Sequence, residues 1–403
     1  MKPTVSIILP VRNEERFITS CLKSISAQTY PKENMEVLIA EGMSDDDTLG
    51  KIAEYDSIDE DLAITVLKNQ KKTVSAGLNL GFRNARGYVL IRMDAHARYG
   101  RDYISQCLAV MERTGAANVG GPALALPGGP GAMARAIALA HYSPFGLGGA
   151  QFRDPKAEGL VETVWPGCFR REVFEKVGYI DERRTRTEDI EFNSRLRAAG
   201  YKIYLSPLIK AYYYCRTTLR ETWRQRWADG YEITHFLPDN PKAPRLRHFI
   251  PLIFVTSLLL LLALSLLSGS TPPCPPRSGE GLLGGSNVSN TIGCLALLLL
   301  VLELGAYLGA MLYFVGKAGG GFKVYSIQYT GDSTVDGRQE AGDNTGRQEI
   351  GDSKPGLNTN YHLPNSEYGL GPLLLLPIVF LTLHFSYGLG SLWGLATLPF
   401  RKK

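Results

Sequence analysis

The stretch FIPLIFVTSLLLLLALSLLS, residues 249–268, carries no formal charge and is about as long as the roughly 20 residues a helix needs to cross a bilayer. A membrane-spanning helix is the expected outcome. Two further runs repeat the signal: residues 291–316, interrupted by Glu303 alone, and residues 370–395, interrupted by His384 alone. The last contains Gly388, Gly390 and Gly394, so it reads either as a third span or as a segment that re-enters the face it left. Between the second and third runs, residues 325–367 repeat GRQE and GDS-like units with few apolar residues. Such a tract cannot bury enough surface to fold, and a disordered polar loop is expected.

Residues 1–245 follow a different pattern, and a chain of 403 residues is in any case long enough for two or more units. Its 44 Lys and Arg stand against 39 Asp and Glu, too even a balance for a dedicated nucleic-acid binder. The six cysteines form no CxxC pair, so neither a zinc site nor a disulfide framework is indicated, and the first half suits a reducing cytosol. VSIILPV near the start is short and runs directly into RNEER, which makes it a strand rather than a signal peptide.

Over residues 1–125 short β-rich runs (VSIILP, EVLIA, AITVL, YVLIRM) alternate with helical patterns. That order implies an α/β fold with a mostly parallel sheet covered on both faces, which binds ligands at the carboxyl ends of its strands. Asn13, Glu14, Glu41, Asp94 and His96 all fall there. Residues 126–245 are less regular, with LPGGPG, GLGG and WPGC clusters, and read as the acceptor-facing half of the same unit.

Four stretches have the residue types for chemistry. Asp94-x-His96 places an oxygen and a nitrogen donor two residues apart at a strand end. That suits a partly hydrated Mn²⁺ or Mg²⁺ bridging two phosphates, or equally a turn-capping Asp and a satisfied His. TEDIEFNSRLRAAGY, residues 187–201, crowds Glu188, Asp189 and Glu191 at a helix start. This is an ordinary way to begin a helix, or a way to raise Asp189 toward neutrality as a general base. In WRQRWADG, residues 223–230, Arg226 can pair with phosphate and Trp227 can wall a sugar ring ahead of a Gly turn. An aromatic, cationic stretch before a membrane span reads the same way. In LIAEGMSDDDT, residues 38–48, Glu41 can accept hydrogen bonds from a base or ribose and Asp46 sits in a helix-capping turn.

Taken in order, VSIILPVRNEERFITSCLKSISAQTYP, EVLIAEGMSDDDT, SAGLNLGFRNARGYVLIRMDAHARY, WPGCFRREVFEKVGYIDE and TEDIEFNSRLRAAGYKI resemble the family 2 inverting glycosyltransferases of GT-A fold, in particular the membrane-attached ExoA-like subgroup. The resemblance covers roughly residues 3–235. It implies a GT-A, Rossmann-like catalytic domain followed by transmembrane helices. Pro10, Asn13 and Glu14 would border the nucleotide, Glu41 would meet the uracil, and Asp46 would serve the same half of the donor site. Asp94 and His96 would take the family's D-x-D place with ribose and metal-bound diphosphate. Asp189 would be the catalytic base with Glu188 beside it, and Arg226 and Trp227 would end a Q-x-x-R-W motif. Two departures stand out. His96 replaces the second Asp, which leaves metal preference open, and Trp223 replaces the Gln, which weakens a processive-synthase reading.

The resulting expectation is a multi-pass cell-membrane enzyme with its catalytic domain in the cytoplasm. It would move one sugar, with inversion, from a UDP-sugar to a lipid-linked or oligosaccharide acceptor in envelope or exopolysaccharide synthesis. A processive synthase and a silent scaffold that only binds nucleotide sugar are the alternatives. The basic PRLRH before the first run fits positive-inside placement, whereas three full spans would carry Arg401, Lys402 and Lys403 outside, against that rule.

Overall fold

The computed structural model describes residues 4–147, 149–269, 285–321 and 370–401; the polar tract at 325–367 lies outside them. The chain opens with β1 (Val5–Val11), α1 (Ile18–Ser26), β2 (Met35–Glu41), α2 (Thr48–Ile58), β3 (Ile64–Lys68), α3 (Val74–Asn84) and β4 (Val89–Arg92). Next come β5 (Ala97–Tyr99), α4 (Tyr103–Thr114), β6 (Asn118–Gly120), β7 (Ala123–Leu126), α5 (Ala132–Tyr142) and α6 (Pro144–Leu147). Then follow β8 (Gly159–Leu160), β9 (Cys168–Arg170), α7 (Glu172–Val177), α8 (Glu188–Ala198), β10 (Ile203–Leu205), β11 (Ala211–Tyr214) and α9 (Leu219–His235). The apolar runs form α10 (Leu246–Gly269), α11 (Gly285–Gly321) and α12 (Leu370–Thr397).

Among the described residues the strands make one sheet in the order β3-β2-β1-β4-β9-β6-β10-β8 and a small one in the order β5-β11-β7. The pairs of β1 with β2 and β4, of β2 with β3, and of β6 with β10 are parallel; β9 runs against both of its neighbours. A strand covered on both faces needs apolar residues at consecutive positions, which is why β1 reads VSIILPV rather than alternating. Val5, Ile7, Leu9 and Val11 pack with Ile18 and Leu22 of α1 and with Cys107 of α4. Ile8 points the other way, to Leu78 and Phe82 of α3. Each such fully buried side chain contributes roughly 1.5–3 kcal/mol. Gly81 lets α3 approach, since a Cβ there would overlap the Ile8 side chain.

A third core joins the α/β body to the apolar helices. Ile137 and Leu139 of α5 pack with Met311 of α11 and with Leu376, Val379 and Phe380 of α12. By length and composition α10, α11 and α12 are all sufficient to cross a membrane. Their surroundings differ: α10 and α11 are largely bare, whereas α12 is covered along much of its length. A side chain at Gly371 would stand 3.7 Å from Ala132 at the start of α5. At the other end Thr397 Oγ1 is 3.3 Å from His235 Nδ1, and Arg401 forms an ion pair with Asp239. Both ends of α12 therefore rest on the α/β body.

The glycines of this region bear on two expectations. Gly230 does not end a helix in a turn; α9 continues through it to His235. Its missing side chain instead admits the Tyr387 backbone, as Gly390 admits the Trp227 carbonyl and Gly394 that of Tyr231. In α12 these small residues serve close helix packing, and the helix is unbroken at them. Within the bilayer-length pair, Ser257 Oγ of α10 donates a hydrogen bond of 2.5 Å to Glu303 of α11.

Candidate active site

At the carboxyl end of β1 the chain turns through Asn13, whose φ of +56° is the left-handed conformation that Asn adopts more readily than most residues. Asn13 Oδ1 accepts from Asp45 N at 2.8 Å, and Asn13 N donates to Ser44 Oγ at 3.0 Å. The facing loop after β2 is laced from within. Glu41 accepts from Met43 N and Ser44 N at 3.0 and 2.6 Å, and Asp46 accepts from Thr48 and from Glu15 N. Pro10, Arg12, Glu14 and Gly42 line a cavity of about 700 Å³ that opens here; Asn13, Glu41 and Asp46 shape its rim without lining it.

At the end of β4 the backbone delivers two oppositely charged residues on one face. Arg92 grips Asp94 with Nε to Oδ1 at 3.0 Å and Nη2 to Oδ2 at 3.2 Å, and its Nη1 donates to Glu188 Oε1 at 2.9 Å. Trp165 Nε1 donates to Asp94 Oδ2 at 2.8 Å. Asp94 and Glu188 are each only 5% exposed. Burial alone would raise the Asp94 carboxyl; the Arg92 guanidinium, then His96, outweigh it and hold it below the ordinary range. His96 Nδ1 lies 3.4 Å from Glu14 Oε1, and its ring meets Tyr213 edge-on at 5.5 Å.

Asp189 begins α8 beside Glu188 and is half-buried at the cavity wall. Burial, then the Glu188 charge, pushes its carboxyl up to about 7, with Arg92 pulling the other way. Glu188 Oε2 is buried and receives no hydrogen bond among the described residues, so an acceptor atom faces the same neighbourhood unsatisfied. The three residues before α8 are fixed from a distance. Glu232 of α9 accepts from Thr185 N, Arg186 N and Thr187 N at 2.7, 2.8 and 2.7 Å, and from both threonine hydroxyls. One turn earlier, Asp229 bridges Arg186 and Arg226. Arg226 lines the cavity; Trp227 does not, because its turn of α9 packs on α12.

Asp94 and His96 are the two candidate metal donors; both Asp94 oxygens already accept from Arg92 and Trp165, and among the described residues no group of three or more His, Cys, Asp or Glu could hold a cation. Arg92, Trp165 and Glu232 escaped the sequence reading. Arg92 is the last residue of an apolar strand, and nothing near Glu232 in sequence announces partners 45 to 47 residues away. For Trp165 the WPGC cluster was a signal, though only of a turn.

The match to Glycosyl transferase family 2 spans residues 6–178. Together with relatives of 30% identity and more covered over most of their length, it places the chain in that family. One relative is the dolichyl N-acetyl-alpha-D-glucosaminyl phosphate 3-beta-D-2,3-diacetamido-2,3-dideoxy-beta-D-glucuronosyltransferase of Methanococcus voltae, 32% identical over 232 residues, 56% of this chain and 71% of that one. Succinoglycan biosynthesis protein ExoA of Rhizobium meliloti (strain 1021) is 30% identical over 249 residues, 61% and 74% of the respective chains. Among solved structures, the mannosyltransferase PcManGT from Pyrobaculum calidifontis, in complex with GDP-Man and Mn²⁺, shares the fold with a TM-score of 0.50. Its identity is 19%, over 77% of this chain and 86% of that one. The α/β body is thus GT-A-like, and the protein is a glycosyltransferase that uses a nucleotide sugar in polysaccharide or glycan biosynthesis.

Proposed function

We propose that this chain is a membrane-bound, inverting transferase of the ExoA-like subgroup, adding one sugar from a UDP-sugar to a hydroxyl of a lipid-linked or growing glycan. The observation that carries this reading is the Asp94–Arg92–Glu188 chain, which ties the carboxylate of the diphosphate end to the acidic start of α8 within one cavity. Pro10, Glu14 and His96 border the nucleotide side, with Asn13, Glu41 and Asp46 holding its loops. Asp189 takes the proton of the acceptor hydroxyl, which attacks the anomeric carbon from the face opposite the leaving diphosphate. The C–O bond to the acceptor forms as the bond to the diphosphate oxygen breaks. Glu188 Oε2 is buried without a hydrogen-bond partner among the described residues, and Arg226 is paired with Asp229 at the cavity wall. Asp94 and His96 are the residues to hold a Mn²⁺ or Mg²⁺, which when bound neutralises charge on the diphosphate.

The lipid-linked acceptor is supported by the name of the Methanococcus voltae relative, whose substrate is dolichyl-linked. For membrane placement we infer that α10 leaves and α11 returns, while α12, about 42 Å long from its 28 residues, stays at the face of the catalytic part. A soluble domain cannot touch both ends of a spanning helix. This arrangement keeps Arg245, Arg247 and Arg401 on one side, as positive-inside placement asks for a cytoplasmic catalytic domain.

The test is donor hydrolysis and transfer by detergent-solubilised protein with Mn²⁺ or Mg²⁺, over UDP-, GDP- and dTDP-sugars, beside Asp189→Asn. Turnover of one donor with metal is expected, with the variant binding donor but losing at least about 100-fold in transfer. No donor binding with either metal would move the silent scaffold into first place.

A further inference from the structure

The cavity does not stop at the sugar-transfer end. It continues past Tyr213, whose ring lies 5.5 Å from His96 on one side and 5.9 Å from His141 on the other, to the apolar helices. The two ends differ in charge. Around Asp229 the wall carries Arg153, Arg216, Arg226 and Arg247, while Arg186 stands between Asp229 and the Glu188 charge. Asp229 is already shared by Arg186 and Arg226, and Arg247 pairs with Glu162 at 3.1 Å. Arg153 has no such partner. Its guanidinium lies 5.0 Å from the Phe152 ring and forms no ion pair or hydrogen bond among the described residues.

A guanidinium so placed is costly unless an anion joins it. Burial, then the nearby Arg226 charge, lowers Arg153 to about 10, with the Asp229 charge among those opposing, and burial, then Arg153, lowers His141 to about 3. Immediately beyond, the cavity wall turns apolar. Phe145 of α6 stacks on Phe314 of α11 at 5.5 Å, and Phe254 of α10 stacks on Tyr307 at 4.5 Å.

A fixed cation with an aromatic passage behind it matches an amphiphile with an anionic head. We infer that Arg153, with Arg226 and Arg216 beside it, binds the phosphate or diphosphate headgroup of a lipid-linked acceptor, whose hydrocarbon chain leaves between Phe145, Phe254 and Phe314. The acceptor role rests on the transferase reading above; the anion site itself stands on its own geometry. It is separate from the donor's diphosphate, which belongs at the Asp94 end.

The experiment uses the full chain in detergent, saturated with UDP, or with GDP if that binds tighter, and titrated calorimetrically with farnesyl diphosphate and with inorganic diphosphate. Farnesyl diphosphate is expected to bind alongside the nucleotide, at least tenfold tighter than inorganic diphosphate, and to lose at least tenfold in Arg153→Ala. Should that variant fail to bind nucleotide, Arg153→Gln carries the comparison. Equal binding of inorganic diphosphate would assign the site to free phosphate and overturn the lipid. Competition with the nucleotide, or unchanged affinity in the variant, would overturn the site. A wild-type chain that binds farnesyl diphosphate as expected but hydrolyses no donor would remove the transferase reading alone.

Discussion

A base that takes a proton near neutral pH needs a carboxyl made less acidic than usual, and Asp189, the base we propose, gets this from burial and from Glu188 next to it. The consequences for activity and stability have opposite signs. The proposed mechanism needs the ionised form, so transfer should rise with pH through about 7, as a pH profile of kcat/KM would show. The folded chain binds a proton at Asp189 that the unfolded chain has released above its lower, ordinary carboxyl range, so this group's contribution to stability is lost as pH rises through about 7. Asp189→Asn should flatten that part of the stability curve, measured by denaturant unfolding from pH 5 to 8. Arg92 holds the two neighbouring carboxylates, and its loss leaves both buried without their cation. Arg92→Ala should cost about 3–5 kcal/mol by the same unfolding measurement. Arg92→Lys should recover little, because an ammonium cannot span three oxygens as the fork does. Asp94 and Asp189 were legible in sequence because each ends or begins an element where apolar patterning breaks. Arg92 was not, since a charged residue at the last position of a strand reads as ordinary strand chemistry until the fold brings Glu188 to it.

At the scale of elements, the position of α8 depends on α9 through a single side chain. Glu232 receives the backbone of residues 185–187, so Glu232→Ala leaves several buried donors unsatisfied. The expected outcome is a kcat loss of tenfold or more, exceeding any rise in donor KM, together with at least about 2 kcal/mol of destabilisation. Steady-state kinetics and unfolding of the same variant check both. The α9–α12 contact is equally specific. A side chain at Gly390 meets the Trp227 carbonyl, so Gly390→Leu should separate the helices and lower the detergent-solubilised protein's thermal midpoint. The alternation of strands and helices made the parallel sheet readable from hydropathy alone. The end of α9 was misread because glycine signals either a turn or a close helix contact, and only the partner helix, more than 150 residues on, decides between them.

For the whole molecule, hydropathy identified three apolar helices and could not say where their ends go, because length and composition are blind to neighbours. Contacts at Ala132 and at His235 put both ends of α12 on the catalytic part. Single cysteines at Leu266, near the far end of α10, and at Phe400, just past α12, should therefore be labelled from opposite faces of sealed vesicles by an impermeant maleimide. Labelling from the same face would contradict the inferred topology.

A helix pinned at both ends beneath the catalytic part also acts as a ruler. With α12 fixed against α5 and α9, the distance of Asp189 from the apolar helices is set by direct packing, not by a flexible tether. For the lipid-anchored acceptor proposed above, only a hydroxyl at one distance from its anchor would reach Asp189, and each added sugar would move the new terminus out of register, so the proposal entails a single addition.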